Sequence, residues 1–160
     1  MCTQLAREHG QRTLHLAYVK SEHALCLLGP NGVVFAASAS HGRAAGKKQF
    51  EGDQRTPEGR YVVSPARPSA RFGLFLAVSY PNAADVLAAE RAGVRPGGSI
   101  GVHGPQPWYA FLGSAQSLVD HSDGCIVTDR RAIEQLALVL MEPTPFDIWA
   151  ELPTRAAPPP

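Results

Sequence analysis

Cysteine is scarce in this 160-residue chain: Cys2, Cys26 and Cys125 lie far apart, and no CxxC pair occurs. An odd count at such spacing argues against a disulfide framework and a structural zinc ribbon, and leaves room for one reactive thiol. Net charge is equally scant, +1 from 15 Lys plus Arg against 14 Asp plus Glu. Such a balance gives no electrostatic reason to expect nucleic acid or an anionic membrane surface as the main partner. No apolar run approaches the ~18 residues of a membrane span. The start, Met1-Cys2-Thr3-Gln4-Leu5-Ala6-Arg7-Glu8-His9, lacks the basic opening and ~7–15 apolar residues of a secretory signal. Repeats of fixed period are also lacking, which excludes solenoids and propellers.

Glycine (15) and proline (14), in contrast, are plentiful. Many turns and short strands are therefore expected rather than a helical bundle. With 44% hydrophobic residues, the length suits one domain. Residues 1–12 read as a polar, loosely docked segment, 13–152 as the domain, and 153–160 as a Pro-rich disordered tail. Leu14–Val19, Ala24–Leu28 and Val33–Ala37 predict an antiparallel meander, turned by Gly29-Pro30-Asn31-Gly32. Residues 40–58 predict a long functional loop. Further strands are expected at Arg60–Val63, Phe72–Val78, Ser99–Val102 and Phe146–Ala150. One helix is expected from Pro81-Asn82 to about Arg91, with Gly93 as its stop. A second, capped by Asp129, should run to about Met141 with Ile133, Leu136, Ala137 and Leu140 on one face. The expected fold is mainly β with two helices (α+β), a β-sandwich or open barrel.

The segment Ser122-Asp123-Gly124-Cys125-Ile126 carries the clearest chemistry. A glycine before a cysteine lets the backbone turn sharply and lets N–H groups converge on an oxyanion. Cys125 lies four residues before the Asp129 cap, so the helix should help to lower its pKa. A nearby imidazole would act as base, with His103 and His121 as candidates. Taken alone, a Gly-Cys pair more often marks a thiol packed as a small apolar residue.

Three segments in order then resemble one family. Gly52-Asp53-Gln54-Arg55-Thr56-Pro57-Glu58-Gly59-Arg60-Tyr61 looks like the Thr-Pro-x-Gly-x-Phe/Tyr signature of the L,D-transpeptidase catalytic domain, also called YkuD. Ile100-Gly101-Val102-His103-Gly104 looks like its Ile-x-Ile-His-Gly. Ser122-Asp123-Gly124-Cys125-Ile126 looks like its Ser-x-Gly-Cys-Ile/Val. The long form of the first segment, with Tyr80-Pro81-Asn82-Ala83-Ala84-Asp85, looks closer to the YafK-like branch. Two positions depart from the wider pattern. Val127 stands where Arg or Asn usually follows the cysteine, and Asp123 replaces a frequent His. An acid there would raise the thiol pKa.

The resemblance implies Cys125 as nucleophile, His103 as general base and acid, and Gly124 as a backbone oxyanion donor. Ser122 would shape the loop, and Arg55, Thr56, Gly104 and Asp123 would line the substrate groove. The implied imidazole is oriented by a backbone carbonyl. The implied substrate is a peptidoglycan stem peptide, cut at the bond to D-Ala through a thioester, with no cofactor. The implied place is the periplasm or cell envelope, although the start of the chain reads as cytoplasmic or as lacking a leader. Carboxypeptidase or amidase activity, or an idle peptidoglycan-binding relative, are the alternatives. Lys47 and Lys48 read as a solvated loop, His121 as an exposed loop residue, and Trp108 and Tyr109 as core anchors. His103, Asp120, His121 and Cys125 are ligand types zinc accepts, but their spacing matches no familiar zinc pattern.

Overall fold

Helix α1 (Cys2–Glu8) is followed by the meander β1 (His15–Val19), β2 (Ala24–Gly29) and β3 (Gly32–Ser40). After a long loop come β4 (Gly59–Val63), β5 (Arg67–Ser69), β6 (Gly73–Ala77) and α2 (Ala83–Arg91). The chain closes with β7 (Gly101–His103), β8 (Ile126–Thr128), α3 (Arg130–Val139) and β9 (Thr144–Trp149). These elements come from a computed structural model that describes residues 1–8, 13–106 and 119–153.

The nine described strands form one sheet in the order β4-β9-β1-β2-β3-β8-β7-β6-β5. Consecutive pairs are antiparallel except β1–β9 and β7–β8, which are parallel. The sheet curls until β4 meets the end of β6. Val63 bridges Val78, Ser64 N donates to Ala77 O at 2.8 Å, and Ser79 N to Val62 O at 2.9 Å. This is the open-barrel form of the mainly β fold expected from the sequence. These contacts leave less of the β4 edge free to recruit other chains.

Strand alternation divides the apolar residues between two sides of the sheet. Leu16, Tyr18, Leu25 and Leu27 point into the barrel with Phe146, Ile148 and the α3 face of Ile133, Leu136 and Leu140. Ala17, Val19, Cys26 and Leu28 point outward, where α1 covers them with Leu5. Burial on both sides explains why β1 and β2 read as unbroken apolar runs.

Two expectations fail at this outer layer. Residues Cys2–Glu8 form a third helix rather than a loose segment, and Leu5 is fully buried. Burying one leucine is worth ~1.5–3 kcal/mol, enough to dock so short a helix only with help. The help is covalent: Cys2 is bonded to Cys26, with Cα atoms 5.6 Å apart. The odd cysteine count concealed one disulfide and one free thiol, Cys125.

The two expected helices are present with their caps. Asn82 and Asp85 form a capping box at α2, and the Asp129 side chain accepts from Ala132 N at α3.

Candidate active site

Strands β6, β7 and β8 lie side by side, and their pairing fixes one ring. His103 ends β7, paired with Phe75 on β6 and Val127 on β8, and is buried. The Phe72 ring lies over its imidazole, centroids 3.8 Å apart and planes 22° apart. Nδ1 is 2.7 Å from Gly104 O. A carbonyl only accepts, so Nδ1 carries the proton and Nε2 is left as the basic nitrogen. Burial pushes the imidazole pKa down to about 4, opposed by the Gly104 bond and assisted by Arg71 and His121. The ring is therefore neutral at pH 7.

Cys125 precedes β8 on a turn built around glycine. Gly124 has φ +129°, and a Cβ there would sit 2.7 Å from Arg55 O. Only glycine fits both the conformation and the space. Ser122 ties the turn across itself. Its hydroxyl donates to Cys125 O at 2.6 Å and accepts from Gly124 N at 3.1 Å. The Gly124 amide is thus engaged with Ser122 rather than free for an oxyanion, which corrects the expected role. Beneath the turn, the Thr56 hydroxyl donates to Gly124 O at 2.8 Å and accepts from Gly42 N at 2.9 Å. Gly42 bridges Ser122, and Arg43 N donates to Ser122 O at 3.0 Å.

Cys125 and His103 line one cavity of about 610 Å³. Sγ lies 3.6 Å from Ser99 O and receives the Gly101 N–H. Among the described residues no hydrogen bond joins it to His103. Burial pushes the thiol pKa up; the Gly101 amide, Arg71 and Lys48 oppose this and Asp123 adds to it. The helix does not supply the expected lowering. Strand β8 stands between Cys125 and the Asp129 cap. Four extended steps span roughly 13 Å, and a helix end acts within about one turn.

The remaining expected residues divide between lining and support. Asp123 lines the cavity and pairs with Arg43 at 2.9 Å, both exposed. Gly104 acts through its carbonyl on His103. Thr56 is fully buried and so cannot touch substrate; it supports the turn instead. Arg55 is not among the lining residues; its carbonyl packs against Gly124. Val127 lines the cavity, as do three residues that no sequence motif singles out: Arg67, Arg71 and Phe72. Arg67 lies over the Phe75 ring and Arg71 over the Phe72 ring, at 5.4 and 5.1 Å. A pattern reader has no signal for Arg67, because β5 is only three residues long.

Other expectations change. Lys48 is not solvated: its Nζ is 2.9 Å from Asp53 Oδ1, and both side chains are nearly sealed from water. Burial alone would raise the Asp53 pKa. Hydrogen bonds from Gln49, Lys48, Phe50 and Arg55 outweigh it and hold the carboxyl below its ordinary value. Lys47 remains half exposed, 4.0 Å from Asp85. His121 lines the cavity, its Nδ1 2.7 Å from Val119 O. Asp120 faces His23 and His41 rather than Cys125, so the four zinc-type residues do not converge. Trp108 and Tyr109 lie outside the described residues.

Comparison with known proteins identifies the fold and family. The family described as the L,D-transpeptidase catalytic domain, YkuD, matches residues 15–148. Among solved structures, the chain is similar to the helical cell shape determining protein Pgp2 from Campylobacter jejuni. The identity is 21% and the TM-score 0.72, over 96% of this chain and 56% of that one. Bd1075 from Bdellovibrio bacteriovorus shares 22% identity at a TM-score of 0.63, over 91% of this chain and 50% of that one. An L,D-transpeptidase from Mycobacterium smegmatis shares 15% at 0.58, over 86% and 58%. This chain thus spans about half the length of these proteins, and at such identities the likeness is one of fold. No match was found among curated proteins. With the family matched across nearly the whole barrel, the chain belongs to the L,D-transpeptidase catalytic domain (YkuD) family.

Proposed function

We propose that this domain is a cysteine-dependent acyltransferase acting on peptidoglycan stem peptides. The observation that carries the reading is one cavity holding the free thiol Cys125 and a neutral imidazole whose tautomer is fixed by Gly104 O. A thiol with a raised pKa beside an imidazole with a lowered one does not rest as an ion pair. The proton instead moves during attack. Sγ turns from Ser99 O toward the substrate carbonyl, Nε2 of His103 takes the thiol proton, and the C–S bond forms. The Cys125 amide is the backbone donor this reading retains for the tetrahedral oxyanion, a contribution of ~3 kcal/mol per donor. Collapse breaks the C–N bond, and His103 returns the proton to the departing D-Ala amine. The thioester is then taken by an amine, giving transpeptidation, or by water, giving hydrolysis.

The arginines suit such a substrate. A stem peptide carries carboxylates, and guanidinium groups bind these in paired hydrogen bonds. Val127 offers no such group, whereas Arg67 and Arg71 stand at the same cavity. An envelope location also fits the Cys2–Cys26 disulfide, since such bonds persist in oxidising compartments. The second reading is an idle stem-peptide binder, favoured by the Sγ contact with Ser99 in place of His103.

The protein and its Cys125→Ala variant should be incubated with tetrapeptide muropeptides and the products read by mass spectrometry. Release of D-Ala by the first and not the second is expected, and a new cross-link would mark transpeptidation. No release from demonstrably folded protein would overturn the tetrapeptide assignment and leave the binder.

A further inference from the structure

Behind the catalytic turn, three side chains from three separate segments converge. His23 lies on the β1–β2 turn, His41 just after β3, and Asp120 on the segment leading to Cys125. His23 Nε2 and His41 Nδ1 are each 3.1 Å from Asp120 Oδ1, and the donor atoms all lie within 4.8 Å of one another. We infer that His23, His41 and Asp120 form a binding site for a divalent transition ion of the zinc type.

The geometry suits that ion. Zinc bonds of about 2.0–2.2 Å to nitrogen and oxygen place tetrahedral ligands about 3.3 Å apart, close to the two 3.1 Å edges at Asp120 Oδ1. The edge between the two imidazole nitrogens, within 4.8 Å, shortens as both turn onto one ion. Two imidazoles and one carboxylate are a borderline donor set, suited to zinc or cobalt rather than calcium or magnesium. The His41 side chain is 10% exposed, those of His23 and Asp120 about 30%. The group is therefore anchored from behind and open in front, where water can fill a fourth position.

The hydrogen bonds around the group leave room for a cation. Asp120 Oδ1 already accepts from His41 N at 2.9 Å. The Tyr18 hydroxyl lies 2.9 Å from both Ala39 O and His41 Nδ1, and has one proton to give. If it serves Ala39, Nδ1 either donates to Asp120 Oδ1 or, as a lone pair, holds a metal ion, with the Tyr18–Ala39 bond intact in both cases.

Such an ion would act on the catalytic turn from behind. Ser122 N donates to His41 O at 3.3 Å, and Asp120 stands five positions before Cys125. Binding would pin the 119–124 segment to the β3 end. The site stands apart from the acyl-transfer reading, since Cys125 and His103 contribute no ligand to it.

The test uses untagged Cys125→Ser protein, disulfide intact, stripped with EDTA and then titrated with zinc by calorimetry and with cobalt by absorption. About one equivalent should bind, with cobalt bands of a low-coordinate site, a raised melting temperature and slower amide exchange over residues 119–124. His23→Ala lies on a part-exposed turn and should lose binding while its circular dichroism is unchanged. Asp120→Asn, which keeps a hydrogen-bond acceptor, should lose it as well. Absence of binding, or equal binding by both variants, would overturn the site.

Discussion

The two halves of the sheet are built to different purposes. Strands β4, β9, β1, β2 and β3 run five to nine residues, and β8, β7, β6 and β5 three to five. The long half buries apolar side chains on both faces of β1 and β2. The short half adds Leu76, Val102 and Ile126 to the same core, and also holds His103, Cys125 and the arginines. Its precision comes from ring stacking, a glycine turn and hydroxyl bridges rather than from area. The site's chemistry thus rests on local contacts while its stability rests on a core shared by both halves, and changes in the long half should move stability more than the thiol's reactivity.

The largest expected effect tests the long half. Phe146→Ala removes a fully buried ring of β9 and should cost ~3–5 kcal/mol in denaturant unfolding. Under native conditions the alkylation rate of Cys125 should stay the same; a large change would show the halves to be coupled. Smaller is Thr56→Val, which strands the Gly42 amide and the Gly124 carbonyl and should cost ~1–3 kcal/mol. Here Cys125 should be alkylated faster, because burial is the main cause of its raised pKa and the turn above Thr56 loosens. An unchanged rate would remove Thr56 from the support of the site. Smallest is Asp123→Asn. The Asp123 charge raises the thiol pKa, so removing it lowers that pKa and increases the thiolate fraction at any pH below it. The midpoint of the alkylation profile should move to lower pH with the melting temperature unchanged. A shift to higher pH, or none, would remove the Asp123 charge as a cause of the raised thiol pKa.

The same division governs what the sequence made legible. The meander, both capped helices and the α3 stripe were readable because long elements repeat their pattern often enough to be seen. The pair Cys125 and His103 was readable only through ordered short motifs, since strands of three residues carry no periodicity. For that reason β5 and β8 were missed, and with β8 the distance that insulates Cys125 from the helix end. Helix α1 was missed because one buried leucine in seven residues is no stripe, and the bond to Cys26 that holds it leaves no local trace. Lys48 was misread as solvated because its partner Asp53 sits in the same polar loop, where composition suggests only water. Thr56 was recognised as significant through its motif, but its place below the turn belongs to tertiary structure.

Strand β9 has a consequence for the order of assembly. It is inserted between β4 and β1, with Phe146 opposite Leu16 across most of the chain. Until residues 144–149 have been synthesised, β4 has no neighbour on that side and the barrel cannot close. Pairings so distant in sequence form late and slowly. The barrel therefore closes only once residues 144–149 are available, and a chain lacking them stays open enough to thread through a narrow channel.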